Sequence, residues 1–288
     1  MKQITQAVSN TALFESFTKI NIRQSKSVLF VTFNNPPVNV LDGILMQELF
    51  QLCNAIDIDN TIKVIVFDSA NKAIFLAHGD MNFVAQPETF NVFGDYIEDN
   101  RLNPMQQLHL RIKNLKQVTI GKLQGFMRGG GNELVMALDM RFAVENKTWF
   151  GQPETLMGII PGGGGTQFLT QLVGKARALE IILSGNPIDT KLAITYGLIN
   201  RAFTEEELEN HIQHLVDRVN NYLPNVVNHA KVAISFANDN KNDFSKENEL
   251  LGALFSSPKA VEKTLNALKN GAQTLEGELN LEAILEKN

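Results

Sequence analysis

Gly125-Phe126-Met127-Arg128-Gly129-Gly130-Gly131-Asn132-Glu133-Leu134 opens the stretch from which the rest of the chain can be read. Asp139 follows, then Phe150-Gly151-Gln152-Pro153-Glu154, then Ile160-Pro161-Gly162-Gly163-Gly164-Gly165-Thr166. Two glycine clusters, 129–131 and 162–165, bracket two carboxylates, Glu133 and Glu154. Glycine lets backbone approach a ligand closely and takes conformations that other residues avoid. Asn132 to Leu138 reads as the start of a mostly buried helix, whose first N–H groups lack partners inside the helix and face any negative charge in front of them. Glu133 stands three residues past Gly130, about one turn along. The pattern describes an anion-stabilising pocket with a proton-transfer group built in. Either half alone reads as well as a tight turn, or as an acid that complements a helix dipole. Both together, with a further strand-to-glycine turn upstream, favour a site.

The chain has 288 residues, which points to one large domain or a core with an appendage, and 44% of them are apolar, enough for a sizeable core. Its net charge of −5 leaves no basic excess to hold a polyphosphate backbone, so no nucleic-acid partner is expected. The single cysteine, Cys53, has no internal disulfide partner and sits in an apolar-periodic stretch, where it reads as a small buried hydrophobe rather than a nucleophile. No Cys/His group has zinc-ligand spacing, and no metal is expected. The N-terminus lacks the apolar core of a signal peptide, and no run is long and apolar enough to span a bilayer. A soluble, cytoplasmic protein without a membrane partner is the expectation.

In chain order, residues 1 to about 16 read as a polar, partly helical extension. Ile20, Ile22 and then Val28 to Phe33 follow period two around the turn Gln24-Ser25-Lys26, which predicts a hairpin. Pro36-Pro37 breaks the strand, and Asp42 is placed to cap a helix with Leu45, Met46, Leu49, Phe50, Leu52 and Ile56 on its apolar face. Val64 to Phe67 is a short buried strand. Lys72 to Met81 forms the upstream strand-to-glycine turn, with Gly79 before Asp80; Asp80 reads equally as a helix cap. Residues 84–104 show no clear period and read as a mobile loop lining a pocket. Met105–Leu115 reads as a helix, Val118–Ile120 with Leu123 as a strand, Ala176–Leu183 and Lys191–Thr195 as short helices, and Leu198–Phe203 as a last strand. From Thr204, with Glu207 three residues on, the chain reads as helical to its end, over 206–222, 225–238, 245–255 and 258–269. The division is therefore a core over 1–203 and a helical region over 204–288.

Ala77-His78-Gly79-Asp80, Gly129 to Glu133, Gly151 to Glu154 and Ile160 to Thr166 together resemble the enoyl-CoA hydratase/isomerase (crotonase) superfamily over roughly residues 18 to 260. The resemblance implies an α/β fold, a spiral of repeated ββα units, followed by C-terminal helices that trimerise, with a homotrimer or a dimer of trimers as the assembly. It implies an acyl-CoA substrate and no separate cofactor, coenzyme A arriving as part of the substrate. By motif position the thioester oxygen meets the N–H groups of Gly79 and Gly130, Glu133 and Glu154 hold a water, and the backbone of Gly162 contacts that water. The adenine side meets backbone around Pro37 and Val38 and near Ala77, with Asp80 also facing substrate. Three departures stand out. His78 replaces a small residue. Asn82 stands where a phosphate-facing Lys is common, leaving Lys72 as a substitute or as a solvated surface residue. One residue is inserted within 143–149.

Water addition to a 2-enoyl thioester builds negative charge on the thioester oxygen, which two fixed N–H donors stabilise by roughly 3 kcal/mol each. It also needs one carboxylate to take a proton and one carboxylic acid to give one, and two close carboxyls supply both states by pushing one pKa up. The expected activity is that of an enoyl-CoA hydratase-like lyase, with Glu133 activating water and Glu154 protonating C2. An enoyl-CoA isomerase, an acyl-CoA thioester hydrolase and a non-catalytic acyl-CoA-binding scaffold are the alternatives. A dinucleotide oxidoreductase would need Gly-x-Gly-x-x-Gly between strand and helix, which neither cluster provides.

Overall fold

The computed structural model describes residues 12–238, 244–255, 257–274 and 281–286. Of the expected N-terminal extension, residues 1–11 lie outside the described residues, and residues 12–15 form a helical turn. The predicted hairpin is present: β1 (Ile20–Ser25) pairs antiparallel with β2 (Val28–Phe33). Its entry is fixed by the buried Glu48, whose carboxylate accepts the N–H groups of Thr18, Lys19 and Ile20. Asp42 caps the helix Gly43–Asp57 by accepting the Leu45 N–H at 2.9 Å, and the apolar face read from the sequence is buried. Cys53 lies in that face, where burial pushes its thiol up to about 12, so it is a packed neutral group.

β3 (Val64–Ser69) runs parallel to β2, and β4 (Ile74–Leu76) follows after a tight turn. The long strand β5 (Val118–Arg128) pairs in parallel with β3 along its first part, Val118–Gly121, and with β4 at its end, around Phe126 and Met127. One strand thus serves two turns of a spiral, and the ββα cadence expected from the sequence is the observed architecture. β6 (Met140–Gly151) lies parallel to β5, and it also pairs with β7 (Ile188–Asp189) and β8 (Arg201–Phe203).

β6 was not foreseen. Phe142, Ala143 and Val144 are buried in succession, so no alternation marks the strand. Between the pairs Leu123↔Ala143 and Gly125↔Thr148, β5 advances two residues while β6 advances five. The extra residues form a bulge around Asn146, whose φ is 57°. That bulge lies within 143–149, the stretch where the family resemblance implies an inserted residue, and pairing resumes in time to deliver Gly151 opposite Arg128.

Residues 84–104 are not an unstructured loop. Asn82–Ala85 is a helical turn and Pro87–Tyr96 a run of 3₁₀ helix. Phe93, fully buried, packs against Phe50 and Phe83, and Tyr96 stacks on Phe50. Such short tight turns leave no 3.6-residue period to read. The helix Pro104–Asn114 follows as expected, begun by a capping box between Asn103 and Gln106. The helix Gly130–Ala137 begins inside the first glycine cluster. The helices Gly165–Val173, Lys175–Ser184 and Thr190–Tyr196 come next, and Glu205–Asn221, Val226–Asn238, Phe244–Phe255, Pro258–Lys269 and Leu281–Glu286 agree with the helical reading of the C-terminal part. Residues 239–243, 256, 275–280 and 287–288 of that part lie outside the described residues. The chain divides into two compact units, Met1–Gln213 and His214–Asn288. No helix among the described residues is long and apolar enough to cross a membrane.

Candidate active site

Three glycine-bearing segments converge within the first unit. The segment after β4 is clamped by Leu41, whose N–H donates to His78 C=O at 3.1 Å and whose C=O accepts from Asp80 N–H at 3.1 Å. The peptide between His78 and Gly79 therefore has its carbonyl satisfied and presents its N–H from Gly79. The second segment turns at Gly129, whose φ of 49° and ψ of −127° suit glycine. Its C=O accepts the Glu133 N–H at 2.9 Å, so the peptide that carries the Gly130 N–H is also bonded at its carbonyl end. The two segments touch: a Cβ built on Gly130 would lie 2.9 Å from the Gly79 nitrogen. Met105 packs against both of these glycines.

The third segment holds Glu133. This side chain is 1% exposed, and its Oε1 accepts the N–H groups of Gly163 at 2.9 Å and Gly165 at 2.8 Å. The approach needs glycine, since a Cβ on Gly163 would collide with Glu133 Oε2 and with Met105. The peptide that donates from Gly163 is bonded at its other end too, because Gly162 C=O accepts Asn103 Nδ2 at 2.8 Å. Gly163 C=O in turn faces the fully buried His109, whose Nδ1 lies 2.7 Å away. Burial pulls the His109 pKa down to about 4, so the ring is neutral and donates its Nδ1 proton to that carbonyl.

Glu154 is reached by a different route. Asn132 Nδ2 donates to Gln152 Oε1 at 2.8 Å, and Gln152 Nε2 donates to Glu154 Oε1 at 3.2 Å. A short relay of amides thus runs from the residue beside Glu133 to the second carboxylate. Glu154 Oε2 is buried, with no hydrogen-bond partner among the described residues. Glu154 Oε1 and the Cβ of His78 lie on one side of Gly129, 3.0 and 3.2 Å from a Cβ built there. His78 Nδ1 sits 2.8 Å from Gly79 C=O, an acceptor, so the ring proton is on Nδ1 in the neutral form.

These groups surround a cavity of about 200 Å³, walled on its apolar side by Met81, Phe83, Met105, Met157 and Ile160. Burial, then the charge of Glu154, push Glu133 up to about 7, against the two N–H bonds that favour its anion. Burial also raises Glu154, with His78 pulling the other way. At neutral pH the pair is therefore suited to hold one proton between two carboxyls.

Of the residues singled out from sequence, Gly79, Asp80, Gly130, Glu133, Glu154 and Gly162 line this cavity. Asp80 caps no helix through its side chain; its Oδ1 accepts both the N–H and the side-chain amide of Asn82 at 2.9 Å. Val38 and Ala77 are not in the cavity wall. Val38 is half-buried in the Pro36–Pro37 turn, and Ala77 is buried, its N–H bonded to Asn39 C=O. Lys72 lies apart from the cavity, with its ammonium 3.0 Å from Glu205 on the exposed surface. Asn103, Met105, His109 and Gln152 were not found from sequence. Only Gln152, inside a quoted motif, carried any local signal. No group of metal-ligating side chains is present among the described residues.

Residues 23–272 match the family model described as enoyl-CoA hydratase/isomerase. The chain is 29% identical over 240 residues to the short-chain-enoyl-CoA hydratase of Clostridium acetobutylicum, covering 82% of this chain and 89% of that protein. It is 29% identical over 218 residues to the 2,3-dehydroadipyl-CoA hydratase of Escherichia coli, covering 75% and 82%. Among solved structures, an enoyl-CoA hydratase from Bacillus anthracis aligns with a TM-score of 0.72 at 26% identity, over 88% of this chain and 95% of that one.

The raised pKa of Glu133 has a consequence for stability. The folded state keeps this proton up to about 7 against an ordinary value of 4.5, so stability declines as pH rises through that window, by about 3 kcal/mol in all. Glu133→Gln keeps the acceptor oxygen for Gly163 and Gly165 but has no proton to lose. Its thermal midpoint should gain on the wild type as pH goes from 5 to 8, and parallel midpoints across that range would contradict the burial of an ionising Glu133.

Proposed function

The chain belongs to the enoyl-CoA hydratase/isomerase family and is an enoyl-CoA hydratase-like enzyme, and we propose that it catalyses the reversible addition of water to a trans-2-enoyl-CoA thioester. The observation that carries this reading is the pair Glu133 and Glu154 on one glycine-lined cavity, where burial raises both carboxyls. The thioester oxygen takes up negative charge as water attacks C3, and the N–H groups of Gly79 and Gly130 receive it. The close approach of these two backbone segments supports that role, as does the bonding of each peptide at its carbonyl end, which polarises the N–H.

Glu133 acts as the base. Two main-chain donors on Oε1 favour its anion and hold the carboxylate in one orientation, leaving Oε2 for water. Glu154 acts as the acid, taking up the pair's proton when Glu133 ionises: no donor among the described residues reaches its Oε2, which suits that oxygen to carry the proton given to C2. Gly162 lines the same cavity as the pair, which supports a contact between its backbone and the same water. An isomerase needs only one group to move a proton between carbons; the presence of both acids in one cavity favours water chemistry. The apolar wall suits a hydrocarbon acyl chain. Among the described residues no Lys or Arg lines the cavity to meet the carboxylate end of a chain such as the one in the name of the Escherichia coli relative.

Assembly belongs to the same reading. Ile234, Leu251, Val261, Leu265 and Leu268 are exposed on helices of the second unit, which supports a homotrimer or a dimer of trimers. Sedimentation velocity at micromolar concentration should give three or six times the chain mass of 32.0 kDa; a single species of that mass would contradict it.

Glu133→Gln and Glu154→Gln should each cut kcat for hydration of a short 2-enoyl-CoA by about 10²–10⁴-fold, with binding of the acyl-CoA retained. Loss of absorbance of the conjugated thioester follows the reaction. Strong dependence on one Glu with near wild-type hydration in the other variant would overturn the assignment of the pair.

A further inference from the structure

We infer that Asn103 is a positioning residue for Glu133, acting through the Gly162–Gly163 peptide. This rests on the reading of Glu133 as the base and adds a residue of the same cavity wall whose side chain bonds the peptide behind the carboxylate and not the carboxylate itself. Asn103 has two separable tasks. Its Oδ1 accepts the Gln106 N–H at 2.9 Å, and its own N–H donates to Gln106 Oε1 at 3.1 Å, which begins the helix Pro104–Asn114. That is ordinary capping. Its Nδ2 is not needed for the cap and instead donates to Gly162 C=O at 2.8 Å, across 59 residues of sequence.

Gly162 C=O and Gly163 N–H are the two ends of one peptide group, and that N–H donates to Glu133 Oε1 at 2.9 Å. A donor on the carbonyl draws charge toward the oxygen and makes the N–H at the other end a stronger donor. Asn103 thus both fixes the plane of the peptide that meets the carboxylate and strengthens its bond. The Gly163 bond is one of the two that favour the Glu133 anion against burial, so weakening it shifts the base toward its protonated form. His109 holds the next carbonyl, Gly163 C=O, from the same helix. The helix therefore grips both ends of the donor segment, but only Asn103 bonds the peptide that reaches Glu133 Oε1 from Gly163. The ionisable groups facing this arrangement are Glu133, Glu154, His78, Asp80 and the neutral His109.

Asn103→Ser separates the two tasks, because serine caps helices about as well as asparagine but is too short to reach Gly162. Asn103→Ala removes both. The expected result for Asn103→Ser is a thermal midpoint close to wild type, kcat lower by roughly three- to tenfold with little change in KM, and a base limb of the pH–rate profile moved to higher pH. A second readout needs no turnover: the pH at which the midpoint difference between each protein and its Glu133→Gln counterpart changes should be higher in the Asn103→Ser background. Wild-type kcat and pH dependence in Asn103→Ser would reduce Asn103 to a cap. Losses in Asn103→Ser that match those of Asn103→Ala in both midpoint and rate would assign it a purely structural role. If the wild type hydrates no enoyl-CoA, the proposed reaction falls, while the stability readout still decides the link between Asn103 and Glu133.

Discussion

A carboxylate taken out of water needs donors, and Glu133 obtains them from two main-chain N–H groups on a single oxygen. Much of the architecture around the cavity answers to that requirement. The donors must come from a loop that passes close enough to touch the carboxylate, which only residues without a Cβ permit at Gly163. The loop must be held from behind, which the helix Pro104–Asn114 does through Asn103 and His109. The carboxylate itself must be aimed by a helix that begins at the end of β5, and β5 reaches that point because it spans two turns of the spiral. Burial is kept incomplete in its effect: the N–H bonds oppose desolvation, so the group titrates near neutrality instead of being locked as a neutral acid.

A common device recurs in the peptides that face the cavity. Leu41 bonds the carbonyl behind the Gly79 N–H, Glu133 bonds the carbonyl behind the Gly130 N–H, and Asn103 bonds the carbonyl behind the Gly163 N–H. Each donor is thus fixed before a ligand arrives, and fixed dipoles need no reorganisation when charge develops in front of them. Glu133 takes part twice, through its side chain as the group being held and through its backbone as the group that holds the Gly129 carbonyl. That coupling ties the geometry of the candidate base to that of the candidate oxyanion donor.

The parts of this arrangement that lie close together in sequence were legible. Glycine clusters declare close approach locally, with Glu133 and Glu154 beside them, and the family resemblance singles out Gly79, Gly130 and Gly162; these candidate residues are found on one cavity. The hairpin and the capped helix after it were equally local. What failed was long-range or patternless. β6 is buried without alternation and carries a bulge, so no period marks it. The 3₁₀ run Pro87–Tyr96 is too tight and short for a helical stripe. Asn103 was passed over within the patternless stretch 84–104, because its partner Gly162 lies far along the chain. For Lys72 the sequence left two readings open, and its exposed ion pair with Glu205 agrees with the solvated surface residue.

The central claim is that the two carboxyls divide a water molecule between them across the bound enoyl thioester. The direct test is to supply a 2-enoyl-CoA to the wild-type enzyme in ¹⁸O-labelled water and to follow the product by mass spectrometry. The account predicts 3-hydroxyacyl-CoA carrying the label at C3, formed at the rate at which the enoyl absorbance disappears. Turnover that moves the double bond, or releases free coenzyme A, with no labelled 3-hydroxyacyl-CoA formed from short or long chains, would contradict it.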